Sequence, residues 1–364
     1  MPVGPQGAHF QPEALRTFAE AAFRAVGVPA SDAAITVDNL IEANLRGVDT
    51  HGVTRVLVPY LRRIQKGMML PVTEVSVLRE RPSTALLDGH NGIGQVIASR
   101  AMQLAIQKAG VTGSAWVSVC HSNHFGAAAY YAQMAVQHDM VAMIATNGPA
   151  AVAPWGGRQP ILSTNPIAFA VPAGSEPPVI LDMATTVVSR GRINLFAKQN
   201  LEIPWGWALD EEGRPTNNPH AALRGTLLPM AGYKGYGLSL IVDLLSGVLS
   251  GANYGMHFAG HLAEYDRPPH NVGSLFAAVS VDSFMDVDRF KERVDVALRE
   301  IKESPRAPEI DRIYAPGEIE FETRQRRLQE GIPLPAEVIS DFRSLATELG
   351  IAFPDASEDG SACS

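Results

Sequence analysis

Cys120-His121-Ser122-Asn123-His124-Phe125-Gly126-Ala127-Ala128-Ala129-Tyr130 joins two segments of different habit. The run before it, Ala115-Trp116-Val117-Ser118-Val119, is apolar and of strand length. The run after it, Tyr130-Tyr131-Ala132-Gln133-Met134-Ala135, reads as a helix. Where a strand hands over to a helix in an α/β protein, backbone N–H groups point outward and ligands collect. A single His there would as readily satisfy a buried turn. Two imidazoles, an amide and a glycine within six residues point instead to a site.

Working outward, apolar runs of strand length recur at 84–87, 115–119, 141–145, 167–171, 179–181 and 275–281. Helical patterns fit between the first three, at 97–108 and 130–138. This alternation predicts an α/β domain with a mixed sheet. The flanks are helical. Leu15, Phe18, Ala22, Phe23 and Val26 repeat at helical spacing behind Pro12. Ser31 is the expected N-cap of a second helix, and Val56 to Ile64 mark a third. Phe290, Val294, Leu298 and Ile301 form a late stripe, and Val338, Phe342, Leu345 and Leu349 another. The expected organisation is a helical segment 1–74 packing with a helical segment 286–364, around an α/β cofactor-binding domain at 75–285. The apolar stretch 237–252 is too short for a bilayer span of about 20 residues and reads as a buried helix. Glu212-Gly213 predicts a hairpin.

With 46% hydrophobic and 19% charged residues, the 364-residue chain can bury a substantial core. A net charge of −8 argues against a nucleic-acid or anionic-membrane partner. Two cysteines, Cys120 and Cys363, cannot build a disulfide framework, and the N-terminus lacks the pattern of a signal peptide, so a cytoplasmic location is expected.

Each further motif has a plain reading beside the functional one. Gly92-Ile93-Gly94 follows a strand, but Ile97 stands where the dinucleotide fingerprint needs a third small residue, so a turn is the better reading. His121 and His124 have a metal-ligand spacing without an obvious third ligand, and His257 and His261 lack a partnering Glu. No metal is expected. In Thr50-His51-Gly52-Val53-Thr54-Arg55 a helix would put His51 and Arg55 on one face. An imidazole beside a guanidinium suits a 2-oxo acid: Arg grips the carboxylate and His passes a proton to the carbonyl oxygen. Gly232-Tyr233-Lys234-Gly235-Tyr236-Gly237 opens a helix as phosphate-binding turns do, or simply feeds a packed helix. Ser163-Thr164-Asn165-Pro166 and Asp182-Met183-Ala184-Thr185-Thr186 flank strands.

Taken in order, Leu45-Arg46-Gly47-Val48-Asp49-Thr50-His51-Gly52 with Arg55 and Tyr60, then Ser122 to Ala128, Thr164 to Ala168, Asp182 to Thr185, Tyr233 to Leu238 and Pro316-Gly317-Glu318 resemble the type-2 malate/L-lactate dehydrogenase family. The resemblance spans about residues 10 to 320. It implies hydride transfer with NAD or NADP on a non-Rossmann fold, usually in a homodimer, between a small-molecule 2-hydroxy acid and its 2-oxo acid. It assigns His51, with Thr50 beside it, and His124 to proton transfer, and Arg55 and Thr164 to the substrate. His124, Phe125, Gly126, Ala127, Asp182, Met183, Ala184, Lys234, Gly235, Gly317 and Glu318 would line the cofactor. Two departures stand out. Thr50 replaces the usual Ser, and Arg192 stands where cyclic-imine reductases of the family carry a relay Asp. The alternatives are a metal-dependent hydrolase or lyase using His121 and His124, and a binding protein without turnover.

Overall fold

The computed structural model describes residues 7–258 and 269–356. Cys363 and His261 lie outside them. The chain opens with β1 (Ala8–Phe10), then α1 (Pro12–Ala25), α2 (Ala30–Leu45) and α3 (Val53–Gln65). Pro12 takes the first helical turn of α1, where its missing N–H costs nothing. Ser31 is not the cap of α2. Pro29, extended at φ −57° and ψ 147°, caps that helix two residues earlier and leaves Ser31 inside it.

The central part runs β2 (Ser76–Arg81), β3 (Thr84–Asp88), α4 (Gly94–Thr112), β4 (Ser114–Ser122), α5 (Ala128–Val136), β5 (Met140–Thr146), β6 (Ile167–Val171) and β7 (Val179–Met183). A small lobe follows: α6 (Arg190–Lys198), β8 (Ala208–Leu209), β9 (Pro215–Thr216), α7 (Pro219–Arg224) and β10 (Thr226–Leu227). The predicted hairpin is β8–β9, with Asp210 Oδ1 accepting from the N–H groups of Glu212 and Arg214. The chain then forms α8 (Tyr233–Asp243), β11 (Val272–Ser280), α9 (Val287–Glu303), α10 (Glu318–Glu330), β12 (Ile332–Leu334) and α11 (Ala336–Leu349).

Seven strands make one mixed sheet in the order β2-β3-β4-β11-β5-β6-β7. β3 and β4 are parallel, as their α4 crossover requires, and the other neighbours are antiparallel. β2, with all six residues exposed, is an edge strand that apolar patterning could not reveal. Alternation along β11 splits its side chains between two faces. Phe276 packs with Met102, Tyr131 and Ile144 beneath α4 and α5, while Leu275 packs with Ile167 and Val242 beneath α8.

The stretch 237–252 departs from its expected burial. α8 continues into a π-helical turn, Leu244–Val248, and Ile241, Leu244, Val248 and Leu249 are 42–62% exposed. This helix meets the sheet through Val242, with Leu238 and Leu245 beside it.

The ends of the chain share a core. β1 pairs with β12, and Phe18 of α1 meets Phe342 of α11 with ring centroids 5.4 Å apart. Leu57, Leu61 and Ile332 complete that cluster. α9 lies elsewhere: Asp295 accepts from the N–H groups of Gly174, Ser175 and Glu176, which holds its pKa down at about 2 against the opposing effect of burial. Phe342→Ala should cost about 3–5 kcal/mol. If the two ends unfold as one unit, Phe18→Ala combined with Phe342→Ala should lose less than the sum of the single changes in thermal unfolding. Strict additivity would mean the ring contact is idle.

Candidate active site

His51 is presented by a turn between α2 and α3, and that turn is anchored from below. Arg327 of α10, only 5% exposed, donates to both carboxylate oxygens of Asp49, at 2.7 and 3.0 Å. It also donates to the carbonyl oxygen of Asn44. Asn44 Nδ2 donates to Asp49 Oδ1 at 2.7 Å, and Thr54 Oγ1 donates to the Asp49 carbonyl at 2.8 Å. Gly52 caps α3, and a Cβ there would lie 2.1 Å from Asn44 Oδ1, so any side chain at this position would have to displace the Asn44 amide. His51 therefore precedes α3 rather than sitting on it. The expected same-face helical pairing with Arg55 is not the arrangement: Arg55 is exposed in the first turn of α3, and His51 projects from the turn before the cap. Thr50 Oγ1 lies 2.9 Å from His51 Nδ1.

His124 follows β4 and meets this turn. The two imidazoles stack, with centroids 5.5 Å apart and planes inclined by 22°. Tyr60 of α3 is fully buried beneath His124. Its hydroxyl meets His124 Nδ1, lies 3.1 Å from the His124 carbonyl, and accepts from Gln95 Nε2 at 2.9 Å. The Gly126 N–H points at His124 Nδ1 from 3.3 Å. A nitrogen that receives an N–H carries a lone pair, so the hydrogen of the neutral ring sits on Nε2. Burial pushes the His124 pKa down to about 3, helped by the charges of His51 and His270. Burial also lowers the pKa of His51, but the Asp182 carboxylate opposes that shift.

Asp182 is the penultimate residue of β7 and lies exposed. Crowding raises its pKa, while the Ala129 N–H at 2.8 Å, His51 and Arg46 favour the charged form. It thus sits at the N-terminus of α5, where a carboxylate is stabilised by the helix dipole.

The remaining expected residues converge by backbone bonds. Thr185 donates its N–H and hydroxyl to the Thr164 carbonyl, at 2.9 and 2.8 Å. Met183 faces Ile167 across β6–β7, and Ala184 follows directly. The Met230 N–H donates to the Thr185 carbonyl, which brings the start of α8 alongside. There Gly232, at φ +65°, caps α8 with no side chain, and Lys234 is exposed in the first turn. A Cβ on Gly235 would lie 2.1 Å from the Met230 carbonyl. The Ile180 N–H donates to the Pro316 carbonyl, seating Gly317, at φ +90°, against β7. Gly126, at φ +78°, abuts Asn39, which donates to the Ala127 carbonyl.

Two of the residues turn elsewhere. The Phe125 ring is in the core against Tyr131, with centroids 5.1 Å apart, so only its backbone faces the loop. The Glu318 carboxylate is taken by Lys302, by Arg312 and by the N–H of Ala315.

His121 and His124 turn to different partners, which does not favour the hydrolase or lyase alternative. His121 Nδ1 lies 3.0 Å from Asp88 Oδ2, while His124 Nδ1 serves Gly126 and Tyr60. Gln95 and His270 were not legible as site residues, and Tyr60 stood in the resembling motif without a role: all three are buried, and Tyr60 and Gln95 come from helices whose apolar pattern hides them.

This cleft offers what a dinucleotide needs: an uncapped helix N-terminus beside a lysine, and glycines that let backbone approach closely. The family model described as malate/L-lactate dehydrogenase matches residues 10–343. The chain is 41% identical to the malate dehydrogenase of Pyrococcus abyssi over 334 residues, covering 90% of this chain and 91% of that protein. The solved structure of sulfolactate dehydrogenase from Methanocaldococcus jannaschii superposes with a TM-score of 0.89 at 37% identity, covering 96% of this chain and all of that one. Some relatives carry a cofactor in their names. Among them are (2R)-3-sulfolactate dehydrogenase (NADP(+)) of Chromohalobacter salexigens, 33% identical over 91% of this chain and 96% of that protein, and ureidoglycolate dehydrogenase (NAD(+)) of Escherichia coli, 32% identical over 91% and 92%.

Removing Asp49 as Asp49→Ala leaves the Arg327 guanidinium buried without its carboxylate, the Asn44 carbonyl alone remaining of the acceptors named above, which should cost about 3–5 kcal/mol in denaturant unfolding, with Arg327→Met in the same chain recovering part of it. A second outcome concerns pH. The unfolded chain protonates His124 near its ordinary value of about 6.5, the folded chain only near about 3. Between those values stability falls as pH falls, because only the unfolded state gains the proton. His124→Gln should flatten the thermal midpoint between pH 6.5 and 4; an unchanged slope would assign the loss to other groups.

Proposed function

The chain belongs to the malate/L-lactate dehydrogenase family, and we propose that it is an NAD(P)-dependent oxidoreductase interconverting a 2-hydroxy acid of the malate or lactate type and its 2-oxo acid. The observation that carries this reading is the stacked pair His51 and His124, 5.5 Å apart, where the turn before α3, the end of β4 and the Asp182 carboxylate meet.

A bound nicotinamide dinucleotide supplies or accepts the hydride. The chain's own residues handle the proton and the charge. His51 takes the hydroxyl proton during oxidation and returns it to the carbonyl oxygen during reduction. Asp182 favours the imidazolium that forms in between. His124 stays neutral, and its Nε2–H is free to donate a hydrogen bond to that same oxygen. Tyr60 and Gln95 fix its ring from the far side. Arg55 grips the substrate carboxylate through two parallel hydrogen bonds. Thr164 borders the substrate. Lys234 and the uncapped start of α8 take the phosphates, with Asp182 to Ala184 and Gly317 along the nucleotide.

No described helix is long and apolar enough to cross a membrane. A cytoplasmic homodimer fits the reading, since the exposed Ile241, Leu244, Val248 and Leu249 are a surface that a second copy would cover.

The test follows NADH and NADPH absorbance with pyruvate, oxaloacetate, 2-oxoglutarate and other 2-oxo acids. His51→Ala should lower kcat by roughly 10²–10⁴-fold. Arg55→Ala should chiefly raise KM for the acid. Small and equal effects from both variants would remove this assignment.

A further inference from the structure

β3 and β4 run parallel, with Asp88 opposite Cys120, and both strands end at the same edge of the sheet. The turns that follow are laced together. The Gly89 N–H donates to the Cys120 carbonyl at 3.0 Å, the Asn91 N–H to the His121 carbonyl at 2.8 Å, and Asn123 Nδ2 to Asn91 Oδ1 at 3.0 Å. This lacing gathers four side chains that the dehydrogenase reading does not use. The Asp88 carboxylate, 13% exposed, has Oδ2 3.0 Å from His121 Nδ1 and Oδ1 3.7 Å from His90 Nδ1. Cys120 Sγ lies 3.6 Å from the same His121 Nδ1. The donor atoms of Asp88, Cys120 and His121 all fall within 4.8 Å of one another, the one such group among the described residues.

We propose that Asp88, Cys120 and His121, with His90 as the candidate fourth ligand, bind a divalent transition-metal ion of the zinc class that clips the end of β3 to the end of β4.

The spacing and the chemistry agree. Metal–ligand bonds of about 2.0–2.3 Å at tetrahedral angles put neighbouring donor atoms about 3.3–3.6 Å apart. The S–N and O–N separations here, 3.6 and 3.0 Å, need only small adjustment. A thiolate, an imidazole and a carboxylate select zinc-like ions over magnesium or calcium. His90 already has an outer partner, Ser76 Oγ at 2.7 Å from Nε2, which leaves Nδ1 directed toward Asp88. His121 and His90 are 50% and 43% exposed, so an ion can enter from solvent. Binding would release the Cys120 thiol proton, and the His121 Nδ1 proton where that nitrogen carries one. Without a metal the thiol keeps its proton, since burial and the nearby Asp88 raise its pKa to about 11. The site is separate from His124, whose Nδ1 is engaged by Tyr60 and Gly126.

The test uses the full, untagged chain carrying Cys363→Ser, so that Cys120 is the sole thiol. After chelation and desalting, Co²⁺ is titrated and followed by absorbance. The expected result is one ion per chain with a thiolate-to-cobalt charge-transfer band, displaced by Zn²⁺. Cys120→Ser should abolish the band, and His121→Ala should weaken binding by roughly tenfold or more. Zn²⁺ should raise the thermal midpoint of the parent chain and not that of Cys120→Ser. Circular dichroism checks that each variant folds. If His121→Ala does not, the near-isosteric Cys120→Ser decides. No saturable Co²⁺ uptake at micromolar concentration, uptake without the band, or a band that survives Cys120→Ser overturns the proposal.

Discussion

One carboxylate joins the parts of the molecule that matter for chemistry. Asp182 is the last polar residue of β7, it receives an N–H from the first turn of α5, and its charge acts on His51 and Arg46. Those groups come from three different stretches of the chain. Without that negative charge the start of α5 would lose an anion on its dipole, and His51 would have nothing to favour its protonated form. The sheet edge, the helix start and the proton-transfer turn are therefore tied by an electrostatic constraint, added to the apolar packing of Ile180 with Ala128 and Ala129.

The cleft around that carboxylate is built to keep its imidazoles uncharged at rest. Two stacked rings 5.5 Å apart cannot both be cationic in crowded surroundings without a large penalty. Burial lowers both pKa values, yet only His51 has a carboxylate to compensate. His124 has the opposite equipment: a tyrosine, a glutamine behind it and a backbone N–H, which orient the ring and fix its tautomer. Two identical side chains acquire different duties through their neighbours. The turn carrying His51 is rigid for a reason of its own, the bidentate Arg327–Asp49 contact from a helix almost 280 positions away.

Much of this was legible in the sequence, and the rest was hidden for definite physical reasons. Buried strands announce themselves as short apolar runs, so β3 to β7 and β11 were found with errors of a few residues at their ends. β2 was not, because an exposed edge strand has no apolar face to display. The cluster at Cys120 to Ala129 was read correctly as a junction of strand and helix. The relation of His51 to Arg55 was not, because a spacing of four residues implies a shared face only if the helix includes both, and α3 begins at Val53, after the Gly52 cap. Tyr60 stood in the resembling motif without a role. Its partnership with His124 spans 64 positions and depends on tertiary contact. His121 presented the reverse case: it was paired by spacing with His124, while its true neighbour, Asp88, comes from the adjacent strand.

The position of β11 carries a consequence for how the molecule is made. β4 and β5 are consecutive in the chain, yet they do not touch through a ladder; β11 lies between them and bonds to both. Thr146 at the end of β5 donates to the carbonyl of Gly273, 127 positions later. On a ribosome, two half-sheets with open inner edges must therefore wait side by side until residue 280 emerges. The last strand to arrive is the keystone of the arch, and the small lobe and α8 are spun out as a loop before it locks.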